Sequence, residues 1–405
     1  MRPLSTLVST TLLITMATAT AAQASPGAIH RGNQPIPDEY IVVFKDVPGK
    51  AVRASADALA RQHGGEVKHN YEHALRGFSV HLSEKAALAL SHNPNVLLVE
   101  ENEEVQASSV QISPANWALD RIDQRNPPLD GLYSYGTTGQ GVNAYIVDSG
   151  IHPTHTEFTG RVFLDRDYVQ DAGFGVDCFG HGTAVAGILG GTNHGVAKQV
   201  NLHILKVFDC AGDSELADIV AALDWVTWVH VKPAVLNLSI NRPCGPHLAR
   251  PCLEGSLDLA AKGLIQQGVI LVNSAGNGSA CDSNSFVSNS PALFANPIVV
   301  GATVLGFTDS RVNGTCAGGE VDIYAPGWEL TTASHIFPTG TVLFSYTSAA
   351  APVVAGAVAR YLQTHPTANH ASVEYHLQIT GTPHIVGNVP FYGGSQLNPF
   401  LYVQP

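Results

Sequence analysis

The feature that most constrains the fold is an alternation of strand and helix patterns in the larger, later part of the chain. Strands are predicted at 141–147, 202–208, 234–240 and 269–274, and helices at 182–190, 214–229 and 255–267. Several of these strands are apolar on both faces, which predicts a mostly parallel sheet with helices on both faces. The predicted fold class is therefore α/β, with active residues at the carboxyl ends of the strands.

A different pattern precedes this region. The order strand, helix, strand, helix, strand predicts a small α+β open sandwich, with elements at 39–45, 51–63, 75–82, 83–90 and 96–100. This folded segment, about 39–105, contains no cysteine and is followed by the polar linker 106–109. Such a linker is a natural place for cleavage between two domains.

Residues 1–24 have the organisation of a signal peptide. Arg2 precedes an apolar run from Leu4 to about Met16, and Ala22-Gln-Ala24 fits a cleavage site. The run is shorter than the roughly 20 residues that a membrane span needs. We therefore expect a secreted, extracellular protein that has no membrane segment once the signal is removed.

Charge argues against one class of partner. The 405 residues are 45% hydrophobic and 13% charged, and the net charge of -12 is spread along the chain without a basic stripe. Binding to a phosphate backbone needs clustered lysine and arginine side chains. We therefore expect no nucleic-acid partner.

Three residues stand where catalytic groups are expected. Asp148 follows a predicted strand, His181 precedes a predicted helix, and Ser348 lies at the start of an apolar helix. Pro352 supports that helix start, because proline is tolerated close to a helix N-terminus. Each of the three alone also has a non-catalytic interpretation: Asp148 as a turn cap, His181 as a histidine without a specific role, and Ser348 as a helix cap. Together they supply the carboxylate, base and nucleophile that acyl transfer requires.

The oxyanion of a tetrahedral intermediate needs hydrogen-bond donors. The backbone N–H of Ser348 at a helix start is one candidate, and the side chain of Asn277 is another. Asn277 also fits a plain turn before Gly278. The serine comes last of the three catalytic residues and no Gly-x-Ser-x-Gly motif surrounds it, which excludes an esterase of the α/β-hydrolase type.

Four short motifs together resemble the signatures of the subtilisin-like serine proteases, in that family's order. They are Asp148-Ser-Gly, His181-Gly-Thr, Ala275-Gly-Asn277 and Thr347-Ser-Ala-Ala-Ala-Pro352. Two further stretches, Trp117–Gln124 and Gly195–Lys198, are similar to the proteinase K branch and its aqualysin-like members. The resemblance implies a peptidase domain at 112–405, preceded by an inhibitory propeptide at 25–111.

The function implied by the resemblance is that of a secreted serine endopeptidase made as a self-processing zymogen. Asp148, His181, Ser348 and Asn277 would carry out hydrolysis through an acyl-enzyme, with no cofactor required for the chemistry. Its partners would be protein or peptide substrates and its own propeptide as an intramolecular inhibitor, and we expect a monomer. The alternative is a catalytically impaired subtilase fold that binds peptides. Labelling by a serine-directed fluorophosphonate distinguishes the two.

The resemblance also implies a substrate site. Two segments match strands that clamp an extended peptide by β-augmentation, namely Gly212, Asp213, Ser214 and Ser239, Ile240, Asn241. A third segment matches a wall of the pocket for the residue before the cut and consists of Ser274, Ala275 and Gly276. Asp213 and Glu215 would attract basic side chains if both face the cleft, and they equally suit a helix start.

The chain departs from the family pattern beside the nucleophile. Tyr346 stands where glycine is usual, and Ala349 stands where methionine is usual. Elsewhere Ala184 replaces a usual histidine, and Ser214 and Asn241 replace usual glycines. If position 346 requires a positive φ, a tyrosine there is strained, and its ring could crowd the serine.

The resemblance implies a structural calcium site as well. Its ligands would be the Asp322 carboxylate and the carbonyl oxygens of Ala295 and Pro297, which are the hard oxygen ligands that calcium prefers. Asp322 equally fits a turn cap before Pro326. The sequence leaves both interpretations open.

The six cysteines all lie at or after residue 178. An even number in an exported chain favours disulfides over metal thiolates, although spacing alone does not choose the pairing. The resemblance implies bridges Cys178 to Cys210 and Cys281 to Cys316. A bridge from Cys244 to Cys252 rests only on closeness in sequence, and free thiols at these two positions are the alternative.

Overall fold

The computed structural model describes residues 28–31, 35–45, 51–103, 109–244, 252–282, 286–306, 309–383, 386–387 and 399–404. The chain divides into two compact units, Met1–Gln106 and Ala107–Pro405. The predicted signal peptide 1–24 and most of the linker 106–109 lie outside the described residues. Within the described part of the chain, no helix is long and apolar enough to cross a membrane.

The first unit is a five-stranded sheet with two helices. Its elements are β1 (Ile29–His30), β2 (Pro35–Phe44), α1 (Val52–His63), β3 (Glu66–Tyr71), β4 (Gly77–His81), α2 (Glu84–Ser91) and β5 (Val96–Glu103). The strand order is β1-β5-β2-β4-β3. The helix α1 turns Val52, Ala56 and Ala60 towards this sheet, at the spacing of one helical face. This is the predicted open sandwich with two strands more than the sequence indicated.

The two unpredicted strands are β1 and β3, which lie at the two edges of the sheet. Their side chains are exposed or half-buried, and none is fully buried. Because an edge strand buries little, its sequence lacks the apolar alternation by which the other strands were recognised.

The second unit is α/β, as predicted. Its elements are β6 (Ser109–Ile112), α3 (Trp117–Ile122), β7 (Leu132–Tyr135), β8 (Asn143–Asp148), β9 (Val162–Asp167), α4 (His181–Gly190), β10 (Asn201–Lys206), α5 (Leu216–Val229), β11 (Ala234–Leu238), β12 (Arg242–Pro243), α6 (Ser256–Gln266), β13 (Ile270–Ser274), β14 (Asn289–Ser290), β15 (Ile298–Val304), β16 (Ser310–Arg311), β17 (Ile323–Pro326), β18 (Leu330–Ala333), β19 (Thr341–Phe344), α7 (Thr347–Thr364) and α8 (His370–Thr380). The predicted strands and helices of this region are all present, with ends shifted by a few residues.

An eight-stranded sheet forms the centre of this unit. Its order is β16-β15-β13-β11-β8-β10-β9, and β17 pairs with β15. All these pairs are parallel except β15 with β16. The strand β8 shows why both of its faces are apolar: Ala144 and Ile146 enter one buried cluster with α4 and α7, and Tyr145 and Val147 enter another with α5 and α6. Asp148 ends this central strand.

Three disulfides join the six cysteines. The pairs are Cys178–Cys210, Cys244–Cys252 and Cys281–Cys316, and there is no free cysteine. All three predicted pairings are confirmed. The second bridge closes a loop whose residues 245–251 lie outside the described part of the chain.

A fully buried ion pair links α3 to a loop far along the chain. The Arg121 and Asp309 side chains are both 0% exposed, with Nη2 2.6 Å from Oδ2. The Arg121 guanidinium also lies 4.1 Å from the centre of the Phe400 ring, so this pair fastens the beginning of the unit to its end.

We expect Asp309→Leu to lower the free energy of unfolding by about 3–5 kcal/mol, because it leaves the Arg121 charge buried without its partner. The measurement is thermal unfolding in a Ser348→Ala background, which removes self-digestion. The double variant Arg121→Met/Asp309→Leu is the matched control and should recover much of this loss. A single variant as stable as its parent would contradict the prediction.

Candidate active site

Asp148 and His181 meet where the central strand ends and α4 begins. The His181 Nδ1 lies 2.8 Å from Asp148 Oδ1 and 2.9 Å from Oδ2. Asp148 is fully buried, whereas the His181 side chain is 21% exposed. The carboxylate therefore holds one ring nitrogen and leaves Nε2 for another partner.

A glycine permits the close approach of these two elements. A Cβ on Gly182 would lie 2.2 Å from the Gly150 carbonyl oxygen, so the first turn of α4 can rest on the turn after Asp148 only because this side chain is absent. The Ser149 hydroxyl accepts the Gly182 N–H at 2.8 Å and donates to Asp177 Oδ1 at 2.9 Å. The turn and the helix start are therefore joined by hydrogen bonds.

Sequence reasoning missed Asp177. Its buried carboxylate accepts from the Gly180 N–H at 2.7 Å and from the Thr183 N–H and hydroxyl at 2.9 and 2.6 Å. It thereby satisfies backbone donors at the start of α4, as a helix cap does. An acidic residue shortly before His181 and a threonine just after it were the available signal. Asp177 fixes the orientation of the helix that carries His181.

Two opposing effects set the pKa of His181. Burial would lower the pKa of the imidazole, but the charge and hydrogen bond of Asp148, with a smaller contribution from Asp177, outweigh burial and raise it above 6.5. The protonated form of His181 is therefore stabilised, as a base that must hold a proton during a reaction requires.

Ser348 lies in the first turn of α7. Four residues earlier, the Phe344 ring meets the His181 ring edge-on, with centroids 5.1 Å apart, which brings this segment beside the imidazole. The Ser348 backbone N–H has no acceptor among the described residues. A helix start thus presents a hydroxyl and an unpaired backbone donor close to an imidazole.

Pro352 lies deeper in α7 than the sequence indicated, in the second turn and inside the helix. Proline cannot donate to the carbonyl four residues earlier, which here is that of Ser348. That carbonyl instead accepts a hydrogen bond from the Ser239 hydroxyl at 3.2 Å. The prediction that Ser348 lies at a helix start is confirmed, but Pro352 lies in the second turn and not in the first. Its position connects Ser348 to the segment containing Ser239.

Asn277 is held by the residue that precedes the serine. Its Oδ1 accepts from the Thr347 N–H at 3.2 Å and from the Thr347 hydroxyl at 2.9 Å. The same hydroxyl accepts the Gly276 N–H at 3.2 Å. Among the described residues, none accepts a hydrogen bond from the Asn277 amide nitrogen, which is therefore available as a donor. Sequence reasoning did not assign this positioning role to Thr347, although the residue lies within the recognised motif.

Tyr346 has a positive φ, as its place at a usual glycine position suggested. Its φ is 75° and its ψ is -165°, a region that is almost restricted to glycine and costs on the order of 1–3 kcal/mol for other residues. The ring packs edge-on against Trp328, with centroids 5.5 Å apart. The strain is therefore present, and the ring has a packing partner of its own.

The two predicted clamp segments lie together. Gly212, Asp213, Ser214, Ser239, Ile240 and Asn241 all line one cavity of about 450 Å³. The Asn241 side chain donates to Ser274 Oγ at 2.8 Å, so the third predicted segment, Ser274–Gly276, adjoins the second. Ala275 and Gly276 are buried.

The two acidic residues that the sequence placed near the cleft do not both line this cavity. Glu215 is the N-cap residue of α5, and Asp213 belongs to a tight turn in which its N–H donates to Asp209 Oδ1 at 2.9 Å. Arg242 lines the same cavity as Asp213, whereas Glu215 is not among its lining residues. A basic side chain in this cavity would therefore meet one carboxylate and one guanidinium.

Among the predicted calcium ligands, Asp322 lies next to the chain segment at the start of β15. Asp322 Oδ2 accepts the Val299 N–H at 2.8 Å, which places it beside the start of β15 and the segment that holds Ala295 and Pro297. Burial raises the pKa of Asp322 to about 7. Within the described residues, no lysine, arginine or histidine pairs with this carboxylate, and the carbonyl oxygens of Ala295 and Pro297 accept no hydrogen bond.

Two family models match the chain. Residues 139–391 match the subtilase family, and residues 39–108 match the peptidase inhibitor I9 family. The first match covers more than half of the chain and includes Asp148, His181, Asn277 and Ser348. The second coincides with the open sandwich of the first unit.

Individual relatives agree with these models. The extracellular serine proteinase of Thermus sp. (strain Rt41A) is 39% identical over 94% of this chain and 93% of the relative. The alkaline serine exoprotease A of Vibrio alginolyticus is 35% identical over 84% of this chain and 63% of the relative. The crystal structure of a cold adapted subtilisin-like serine proteinase superposes with a TM-score of 0.64 at 34% identity, over 72% of this chain and all of that one. The chain therefore belongs to the subtilase family and is a serine endopeptidase preceded by an I9-type propeptide.

Proposed function

We propose that Ser348 is the nucleophile, His181 the general base and Asp148 the orienting carboxylate of this endopeptidase. The observation that carries the proposal is the contact of 2.8 Å between Asp148 and His181 Nδ1, with the segment of Ser348 packed against the same imidazole through Phe344. None of the comparisons supports the alternative of a catalytically impaired peptide-binding protein.

The proposed reaction proceeds in two halves. As the Ser348 oxygen bonds to the scissile carbonyl carbon, its proton passes to His181 Nε2, and Asp148 stabilises the imidazolium. The oxyanion accepts hydrogen bonds from the Ser348 N–H and the Asn277 amide. His181 then gives the proton to the leaving amine as the C–N bond breaks. Water hydrolyses the acyl-enzyme by the same path, with His181 again taking and returning a proton.

Internal cleavage of a denatured protein tests this function. Fragments mapped by mass spectrometry should reveal cuts far from either terminus, and a serine-directed inhibitor should abolish them. Release of terminal residues alone would contradict an endopeptidase. The same digest reports the side chains preferred before the cut.

We expect Asn277→Ala to lower kcat by about 10²–10³-fold with a much smaller change in KM, because the amide binds charge that develops only in the transition state. Hydrolysis of a peptide anilide measures both constants. Thr347→Ser is the matched control, since it keeps the hydroxyl that orients Asn277, and it should retain most of the activity. A fall confined to KM would contradict the oxyanion role.

For substrate binding, we propose that an extended peptide lies between residues 212–214 and 239–241. The shared cavity supports the placement of side chains that precede the cut, and residues 274–276 adjoin it through Asn241. A preference for basic substrate side chains, attracted by Asp213, stays a prediction. The positive charge of Arg242 in the same cavity would weaken this preference. If the preference for basic side chains becomes weaker as the salt concentration rises, the attraction is electrostatic and screened by solvent.

We further propose that residues 1–24 are removed on secretion and that the enzyme itself cuts between its propeptide and the peptidase domain near residue 111. The extracellular relative and the I9 match support this maturation. The enzyme would be a monomer, and its propeptide would act as an intramolecular inhibitor. The mature form would start close to β6.

A structural calcium ion is also proposed, held by the Asp322 carboxylate and the carbonyl oxygens of Ala295 and Pro297. The donor set fits a hard cation, and a positive ion would compensate the poorly solvated carboxylate whose pKa burial raises to about 7. The ion would stabilise the loop before β15 and takes no part in the chemistry.

We expect chelation to lower the melting temperature by roughly 5–10 °C relative to calcium at about 100 Kd, a difference near 3 kcal/mol. Differential scanning calorimetry of the Ser348→Ala protein measures it. The Asp322→Asn variant should bind one calcium ion fewer by titration calorimetry and lose this part of the dependence. An unchanged ion count in that variant would refute the site.

A further inference from the structure

The starting observation is the strained backbone of Tyr346. Its N–H donates to the Gly327 carbonyl at 2.6 Å, and its carbonyl accepts from the Ala349 and Ala350 N–H groups at 3.0 and 3.2 Å. These bonds begin α7 and fix the positive φ. A glycine would make the same bonds without the steric cost. The tyrosine side chain therefore calls for an explanation separate from the helix start.

The ring of Tyr346 forms part of a second cavity. It is 42% exposed and stands perpendicular to the Trp328 ring. The two rings border a cavity of about 430 Å³ whose other lining residues are Val304, Ser310, Arg311, Val312 and Asn313. An open cavity with two aromatic walls is suited to a third flat ring.

This cavity adjoins the active site at two points. Tyr346 lies two residues before Ser348. On another wall, Asn313 precedes Gly314, whose carbonyl accepts the Gly278 N–H at 2.8 Å, next to Asn277. The cavity lined by the clamp segments shares no residue with it. If the residues before the cut fill the cavity lined by the clamp segments, the residues after the cut must lie along another part of the active-site edge. The Tyr346 cavity borders that part of the edge.

We propose that Trp328 and Tyr346 form a subsite for an aromatic side chain of the substrate segment that follows the scissile bond. Edge-to-face packing on the two rings supplies the attraction, and Val304 and Val312 add apolar contact. Arg311, which donates to the Thr315 carbonyl through Nη1, also lines the cavity. A cation at this position favours the face of an aromatic ring over a lysine or arginine. This inference rests on the proposed function, because the subsite acts only if the protein cleaves peptide bonds.

Matched quenched-fluorescence peptides test the subsite. The peptides share one sequence up to the cut and carry phenylalanine or alanine at the first, second or third position after it. At one of these positions we expect kcat/KM to be about 3- to 10-fold higher with phenylalanine. The same comparison with lysine should show no gain over alanine.

Variants of Tyr346 separate the ring from the strain. Tyr346→Phe should keep the preference, since the proposal assigns the hydroxyl no role. Tyr346→Gly should lose the preference and raise the melting temperature, and Tyr346→Ala should lose the preference without that gain. Each ratio is taken within one variant, so a general change in activity cancels. A wild-type ratio in Tyr346→Gly would overturn the proposal.

A peptide anilide distinguishes failure of the subsite from failure of the function. It has no residue after the cut and therefore does not use the subsite. If the wild-type enzyme cleaves the anilide and shows equal rates with phenylalanine and alanine peptides, only the subsite is wrong. If it cleaves neither the anilide nor any peptide, the proposed function is wrong.

Discussion

Replacing Ser348 by alanine is expected to lower kcat by about 10⁶-fold, the magnitude that loss of the nucleophile has in a triad enzyme of this family. The same change should leave the precursor uncut. The physical reason is that His181 and the oxyanion donors then have no attacking oxygen to activate, so only binding and electrostatic stabilisation remain. The purified variant should carry residues 25 to about 110, as N-terminal sequencing and intact mass will report.

Two additions make this experiment specific. Ser345→Ala removes a hydroxyl that accepts the Glu329 N–H and has no assigned catalytic role, so this variant should mature normally. A trace of wild-type enzyme added to the Ser348→Ala precursor should cut it near residue 111, which shows that the site itself is intact. Normal processing of pure Ser348→Ala material would contradict self-maturation.

The second large effect is expected from Asp148→Asn, which should lower kcat by about 10⁴-fold. The amide keeps the shape of the carboxylate but favours the wrong imidazole tautomer and no longer stabilises the imidazolium. The nucleophile and the oxyanion donors stay in place, so labelling by a reactive phosphonate should slow rather than disappear.

The pH dependence of the same variant provides a directional test. His181 must be neutral to accept a proton, so kcat/KM should rise as the imidazolium deprotonates, and the acid limb should lie at higher pH than for an ordinary histidine because Asp148 raises the pKa of His181. In Asp148→Asn burial dominates, and the limb should move to lower pH. Asp165→Asn is the control, since it breaks another Asp–His contact of 2.8 Å, with His203, and should leave the profile unchanged. A limb that stays in place in Asp148→Asn would contradict the assignment.

The central sheet was predictable because its strands bury both faces. Strand β8 alternates between two cores, and an apolar run of this kind has few other interpretations. By contrast, β3 lies at a sheet edge with no fully buried residue, so its sequence contains little information about its conformation. Burial determines how strongly a pattern specifies an element.

The candidate catalytic residues could be predicted because each is recognisable from its own place in the sequence. The pairing of Asp148 with His181 follows from their places at a strand end and a helix start. Asp177 acts on the nearby residues Gly180 and Thr183, so its signal was local but was missed. The role of Thr347 was not visible, because its partners Gly276 and Asn277 lie far away in sequence. Pro352 was interpreted by a local rule as a sign of the helix start, whereas Ser239, in the segment that follows β11, supplies the missing donor to the Ser348 carbonyl.

The most direct test of the central claim is labelling of the matured protein with a fluorophosphonate, followed by peptide mapping. The account predicts a single adduct on Ser348, formed in the wild type and in Ser345→Ala and blocked in Ser348→Ala. It also predicts that the labelled protein no longer cleaves a peptide anilide. An active protein that takes up no label, or one labelled at another serine, would contradict Ser348 as the nucleophile.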